Sequence, residues 1–366
     1  MSASGALAGY RPALRPRVLL SDGLLDGPAT VHLIKDPDSG NSFKVGPKEH
    51  FLIARMDGER SVEEIGAAYA KQYGRRLGDP HWQQILALLG ARGLLEGTPA
   101  APAAAAEPAP RTLLRGTLRL VADADATTAG LHRAVGFLLS PGWAAPLLLL
   151  VLAMEAVVVA RSGELLLAVR HMLTNPVLLT GIAALLWLST ALHELAHGVV
   201  ARHFGGRVAE IGLRWRLPAV IMYCTVDDYP YLGSRRHRIA TAAAGAVMNL
   251  VFLLPFCALW LFAPLDDATR DALAALLLLG SVQAFAMLVP LPPLDGYKIV
   301  SQLAGATGLA ASTGSYLRLA VRRDPRAAAY PRRAKAVYTA YGAGALLVLA
   351  AVAAAVVVGV HHLLTT

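Results

Sequence analysis

Cysteine is nearly missing from this chain. There are two in 366 residues, Cys224 and Cys257. They show no metal-ligand spacing and lie in different elements, so neither a disulfide framework nor a thiolate metal site organises the fold. Charge is scarce too. Asp, Glu, Lys and Arg make up 16% of the residues, against about 25% in soluble domains. Hydrophobic residues reach 55% and mean hydropathy is +0.48, which excludes the usual soluble balance. Internal repeats are not evident, and no signal peptide precedes the first long apolar run, since residues 1–100 have the mixed, polar pattern of a soluble domain. Acidic residues are the scarcer sign, leaving a net charge of +9. High Ala, Arg and Gly point to a GC-rich genome of bacterial type.

Five apolar runs are long enough to cross about 30 Å of hydrocarbon: 143–160, 177–200, 239–263, 271–292 and 338–360. The last, YGAGALLVLAAVAAAVVVGV, reads as a plain anchor. Seven arginines fall between Arg202 and Arg238, and eight Lys or Arg between Lys298 and Lys335. The positive-inside rule makes both loops cytoplasmic, with the N-terminal domain inside and the C-terminus outside. Anionic headgroups then account for much of the positive charge without nucleic acid. This topology also gives Cys224 a reducing side.

The second run contains His193-Glu194-Leu195-Ala196-His197. Residues four apart share a helix face, so His193 and His197 can bind one Zn²⁺ while Glu194 reaches the water that the ion activates. An adjacent carboxylate can take that water's proton and pass it to a leaving amine. Ionisable residues inside an apolar span cost on the order of 1 to 3 kcal/mol each and usually have a task. A catalytic zinc ordinarily takes a third protein ligand. His203 lies about 9 Å along the helix axis from His197, and Val200 stands where a glycine would be needed to turn the chain back. Glu210 sits in an Arg-rich loop that offers it ion-pair partners. Asp295, in Val289-Pro-Leu-Pro-Pro-Leu-Asp-Gly-Tyr297, returns to the same side of the membrane as the histidines, where Pro290, Pro292 and Pro293 break the helix and Gly296 frees the backbone. Its competing reading is as a cap of a helix starting near Tyr297.

HExxH on one span, with Leu294-Asp-Gly296 about a hundred residues later, resembles the site-2-protease-type intramembrane zinc metalloproteases over roughly residues 140–304. Gly245-Ala-Val-Met-Asn249 matches that family's G-x-x-x-N. The resemblance implies His193, His197 and Asp295 as zinc ligands, Glu194 as base, and Asn249 as a polar group beside the reacting carbonyl. One position departs: Met287 stands where many members carry asparagine, with Gln283 a candidate to replace its substrate contact.

Ile211 to Leu217 alternates with period two, Pro218 interrupts, and AVIMYCTV continues as a second apolar strand. This predicts an interfacial hairpin. Its edge either holds an extended substrate by strand addition or simply covers the metal. In the front region, Thr30–Ile34 and Asn41–Val45 read as a hairpin turning at Asp36-Pro-Asp-Ser-Gly40. Helices follow over 47–55, from a Ser61/Glu64 capping box, and over 80–93. Met56 to Ile65 with Leu88 to Leu95 resembles the PqqD-like winged-helix domains that read leader peptides in ribosomal peptide biosynthesis. The fold expected is therefore membrane α-helical, with about five transmembrane helices and an interfacial β-hairpin behind a small α+β winged-helix domain. The expected divisions are a reader at 1–97, a Pro/Ala linker at 98–112, and a zinc protease at 113–366, where residues 111–133 form a strand or helix leading into the membrane. This layout is similar to proteases of daptide-type clusters in the bacterial cytoplasmic membrane, and implies a leader-bearing precursor peptide as partner. Two other readings remain: regulated intramembrane proteolysis of a signalling protein, although no PDZ-like sensing module is evident, and a zinc-holding export or immunity protein that does not cut.

Overall fold

The computed structural model describes residues 7–99, 112–217 and 219–365. Most of the expected linker, and Pro218 of the expected hairpin, lie outside that set. The chain divides into two compact units, Met1–Pro108 with Gly305–Tyr338, and Ala109–Ala304 with Thr339–Thr366.

The first unit opens with four short strands, β1 (Leu19–Leu20), β2 (Leu24–Asp26), β3 (Ala29–Lys35) and β4 (Ser42–Val45). The other three all pair antiparallel with β3. The β3–β4 turn closes as Asp36 N–H donates to the Asn41 carbonyl, and Gly40 takes φ +72°, a conformation open to glycine at little cost. Three helices follow, α1 (Pro47–Ile53), α2 (Val62–Tyr73) and α3 (Asp79–Ala91). α2 starts at the expected capping box: Glu64 N–H donates to Ser61 Oγ, and Ser61 N–H donates to the Glu64 carboxylate. Ile34, Leu52, Ile65, Tyr69, Trp82 and Leu94 bury between sheet and helices to form the core.

The second unit begins with β5 (Arg115–Arg119) and α4 (Ala124–Val135), so both elements weighed for 111–133 occur. It continues with α5 (Pro141–Ala160), α6 (Ser162–Leu173), α7 (Pro176–His203), β6 (Val208–Arg216), β7 (Ala219–Val226), α8 (Arg235–Phe262), α9 (Asp267–Met287) and α10 (Asp295–Ala304). The hairpin is present as β6–β7, and β5 extends it to a three-stranded antiparallel sheet of order β5-β6-β7. α6 occupies the segment between the first two apolar runs. Its Leu165, Ala168 and Met172 recur at helical spacing and bury with Trp260 and Leu276 in the unit's main core.

Two further helices complete the chain, α11 (Leu309–Val321) and α12 (Arg332–Thr365). Residues 305–338, grouped by sequence with the membrane segment, instead cluster with the front unit. Leu25 bridges Ala306, Gly27 N–H donates to Ser312 Oγ at 3.2 Å, and the Tyr338 hydroxyl donates to the Gly27 carbonyl at 2.9 Å.

Among the described residues, five helices are long and apolar enough to cross a membrane: α5, α7, α8, α9 and α12 over Arg332–Gly359. Much of their apolar surface meets no protein, as at Leu149, Leu152, Val177, Leu346 and Val357. A lipid solvent would account for this better than water.

Candidate metal centre

α7 is set up by its first residues. Pro176 occupies the first turn, and Asn175 Oδ1 accepts from Val177 and Leu178 N–H. The helix then runs unbroken to His203, which stacks His193 and His197 one turn apart, both buried. α8 lies alongside. Its Gly245 makes the approach possible, because a Cβ there would fall on the His193 ring.

Asp295 comes from the far side of the sequence, at the start of α10. Gly296 is required by contact rather than by an unusual dihedral: a Cβ there would fall on the Leu288 carbonyl. The chain thus folds tightly enough after α9 to bring Asp295 to the histidines. His193 Nε2 lies 2.9 Å and His197 Nε2 3.1 Å from Asp295 Oδ2, and the two imidazole nitrogens are 3.2 Å apart.

These buried atoms form a group able to hold a metal ion. The fit can be tested by geometry. Tetrahedral bonds of about 2.0–2.1 Å separate neighbouring ligand atoms by about 3.3 Å, close to all three separations. The neighbouring groups agree. His197 Nδ1 donates to the Thr241 carbonyl at 2.7 Å, which turns its Nε2 lone pair toward the centre. Lys298 Nζ donates to Asp295 Oδ1 at 2.8 Å, leaving Oδ2 for the ion. Burial pushes the Asp295 carboxyl up, but the two histidines and the Lys298 charge beside it outweigh that, holding the group well below the usual carboxylate range.

Glu194 stands beside this triad, its Oε2 accepting from Cys224 N–H of β7 at 3.1 Å. A cavity of about 360 Å³ opens here, lined among others by Glu194, His197, Cys224, Tyr229, Thr241 and Lys298. Burial, reinforced by Glu194, pushes the Cys224 thiol up to about 12, so it is a neutral wall of the cavity. Asn249 lies one turn beyond Gly245 on α8 and is fully buried. Its Oδ1 accepts from Ser189 at 3.0 Å, while its Nδ2 has no partner among the described residues.

The rejected ligand candidates have other partners. His203 Nδ1 meets His132 Nε2 at 3.2 Å. Glu210 accepts from the Tyr223 hydroxyl at 2.7 Å, rather than pairing with an arginine. Gln283 does not replace the missing asparagine as a donor: its amide nitrogen is engaged by Thr190 Oγ1 and the Leu186 carbonyl, both on α7. Sequence reasoning missed Thr241, Lys298 and Tyr229. Only Lys298 left a readable trace, three residues from Asp295 on an incipient helix.

Gly245→Ala is expected to displace the His193 ring and weaken metal binding about 10- to 100-fold, the range for disturbing a ligand's support. Competition against a chelator, with circular dichroism to check helix content, measures this. Unchanged affinity would mean that the ring has room to move.

Comparisons with family models, with curated proteins and with solved structures give no match for this chain.

Proposed function

We propose that this chain is an intramembrane zinc metalloprotease of the site-2-protease type. The observation that carries this reading is the buried His193, His197 and Asp295 triad beside Glu194, with both histidines and Glu194 on a helix apolar enough to span a membrane. Zinc, when bound, supplies the Lewis acidity that makes water a nucleophile near neutral pH. Glu194 takes a proton from the water as its oxygen adds to the scissile carbonyl carbon. It returns that proton to the amide nitrogen as the C–N bond breaks. Asn249, whose amide N–H groups have no partner among the described residues, serves as a polar group beside the reacting carbonyl.

The substrate must be extended, since a helical peptide bond is shielded by its neighbours. β7 supports such binding. It is an outer strand of its sheet, and its backbone turns toward α7: the Val220 carbonyl accepts from Trp187 Nε1 at 3.1 Å, and Cys224 N–H reaches Glu194. Met222 lies between them with the same orientation by strand periodicity. A peptide pairing there would lie beside Glu194.

The front unit is proposed as a PqqD-like reader on the cytoplasmic side, so that the substrate is a leader-bearing precursor peptide. Full-length protein in detergent should convert a candidate precursor to discrete products seen by mass spectrometry. 1,10-phenanthroline should abolish them and added zinc restore them. Products that persist under chelation would contradict a zinc enzyme.

A further inference from the structure

Tyr229 sits in the short turn Tyr229–Tyr231 between β7 and α8. Its ring is half-buried, and its hydroxyl is buried with no partner among the described residues, an arrangement proteins avoid unless something else occupies the position. Tyr229 lines the same cavity as Glu194, His197 and Lys298. The turn is pinned by the buried Arg238. Its Nη1 donates to the Leu232 carbonyl at 2.9 Å and its Nε to Gln302 Oε1 of α10 at 2.8 Å. Tyr229 is thereby tied to α10, the helix that carries Asp295.

The other buried or half-buried donors named along the cavity are committed: the Thr241 hydroxyl to the His237 carbonyl, the Tyr223 hydroxyl to Glu210, and Cys224 N–H to Glu194. Lys298 lies at the exposed side of the cavity and gives one of its three hydrogens to Asp295. Burial also pushes the Tyr229 phenol up, so it keeps its hydrogen.

We infer that Tyr229 donates a hydrogen bond to the oxygen of the scissile carbonyl as that oxygen gains negative charge. This rests on the protease reading and adds a catalytic residue to it. Water's oxygen bonds to the carbonyl carbon, Glu194 takes the proton, and the carbon–oxygen π pair moves onto the oxygen facing Tyr229. The pair returns as the C–N bond breaks and Glu194 protonates the leaving nitrogen. Tyr229 keeps its hydrogen throughout. A fixed donor aimed at developing charge acts mainly in the transition state.

The test compares wild type, Tyr229→Phe and Glu194→Gln as full-length proteins in detergent. Each is offered a library of internally quenched peptides and a phosphonate peptide whose tetrahedral anion mimics the charged oxygen. Tyr229→Phe is expected to lower kcat by about 10²-fold, to leave KM and zinc content near wild type, and to weaken phosphonate binding by a similar factor. Unchanged kcat and unchanged phosphonate affinity would overturn the assignment, as would loss of zinc, which would make Tyr229 a structural support. Wild type that holds zinc yet cuts no more than Glu194→Gln would overturn the protease reading itself, and this inference with it.

Discussion

Glu194→Gln protein is expected to hold zinc and peptide as wild type does while cleaving about 10²- to 10⁴-fold more slowly, the range that general acid–base catalysis supplies. The substitution is nearly isosteric. The glutamine carbonyl can still accept from Cys224 N–H, so β7 keeps its place against α7. What disappears is the group that carries a proton from water to the leaving nitrogen. Steady-state cleavage at matched zinc content measures the loss. The variant also separates two classes of function. A zinc-holding export or immunity protein needs no proton acceptor and should work as well with glutamine. A protease should not.

Asp295→Ala is the second large effect. Its carboxylate lies within 3.1 Å of both imidazoles, and it is the group that brings negative charge to the site. Without it two neutral imidazoles remain, a set too small for a stable zinc site. Zinc affinity should fall by more than the about 10- to 100-fold that loss of an outer hydrogen bond causes. Lys298 loses its partner as well, but its side chain is 47% exposed, so water can take the charge and the fold should survive. Elemental analysis after dialysis checks the loss. Asp295→Asn keeps the shape and removes the charge, so weak binding by that variant shows that charge rather than volume holds the ion.

How far the site was legible depends on how local its signals are. His193 and His197 could be read because one helical turn sets their spacing. Ser61 with Glu64, and the strict alternation after Ile211, were legible for the same reason. Asp295 is 98 residues from His197, and no periodicity links them. Side-of-membrane reasoning narrowed the choice and the resemblance favoured it, but only the packed chain brings its carboxylate to the histidines. Gly245 was visible as part of a pattern whose purpose was not, since the His193 ring that excludes a Cβ lies on another helix. Thr241 acts through its backbone carbonyl, which every residue type possesses, so nothing in its side chain could announce it. Residues 305–338 read as a basic loop between spans because charge dominates there. Their clustering with the front unit comes from Leu309, Ser312 and Thr313 on one buried face of α11, and from Tyr338, whose hydroxyl caps Gly27.

The most direct test of the central claim is zinc-edge X-ray absorption on the purified full-length protein, with metal stoichiometry measured on the same sample. The account predicts about one zinc per chain, bound only by nitrogen and oxygen at about 2.0–2.2 Å, with that signal lost in Asp295→Ala. Absence of zinc after zinc-replete purification, sulfur in the coordination shell, or an unchanged spectrum in Asp295→Ala would contradict it.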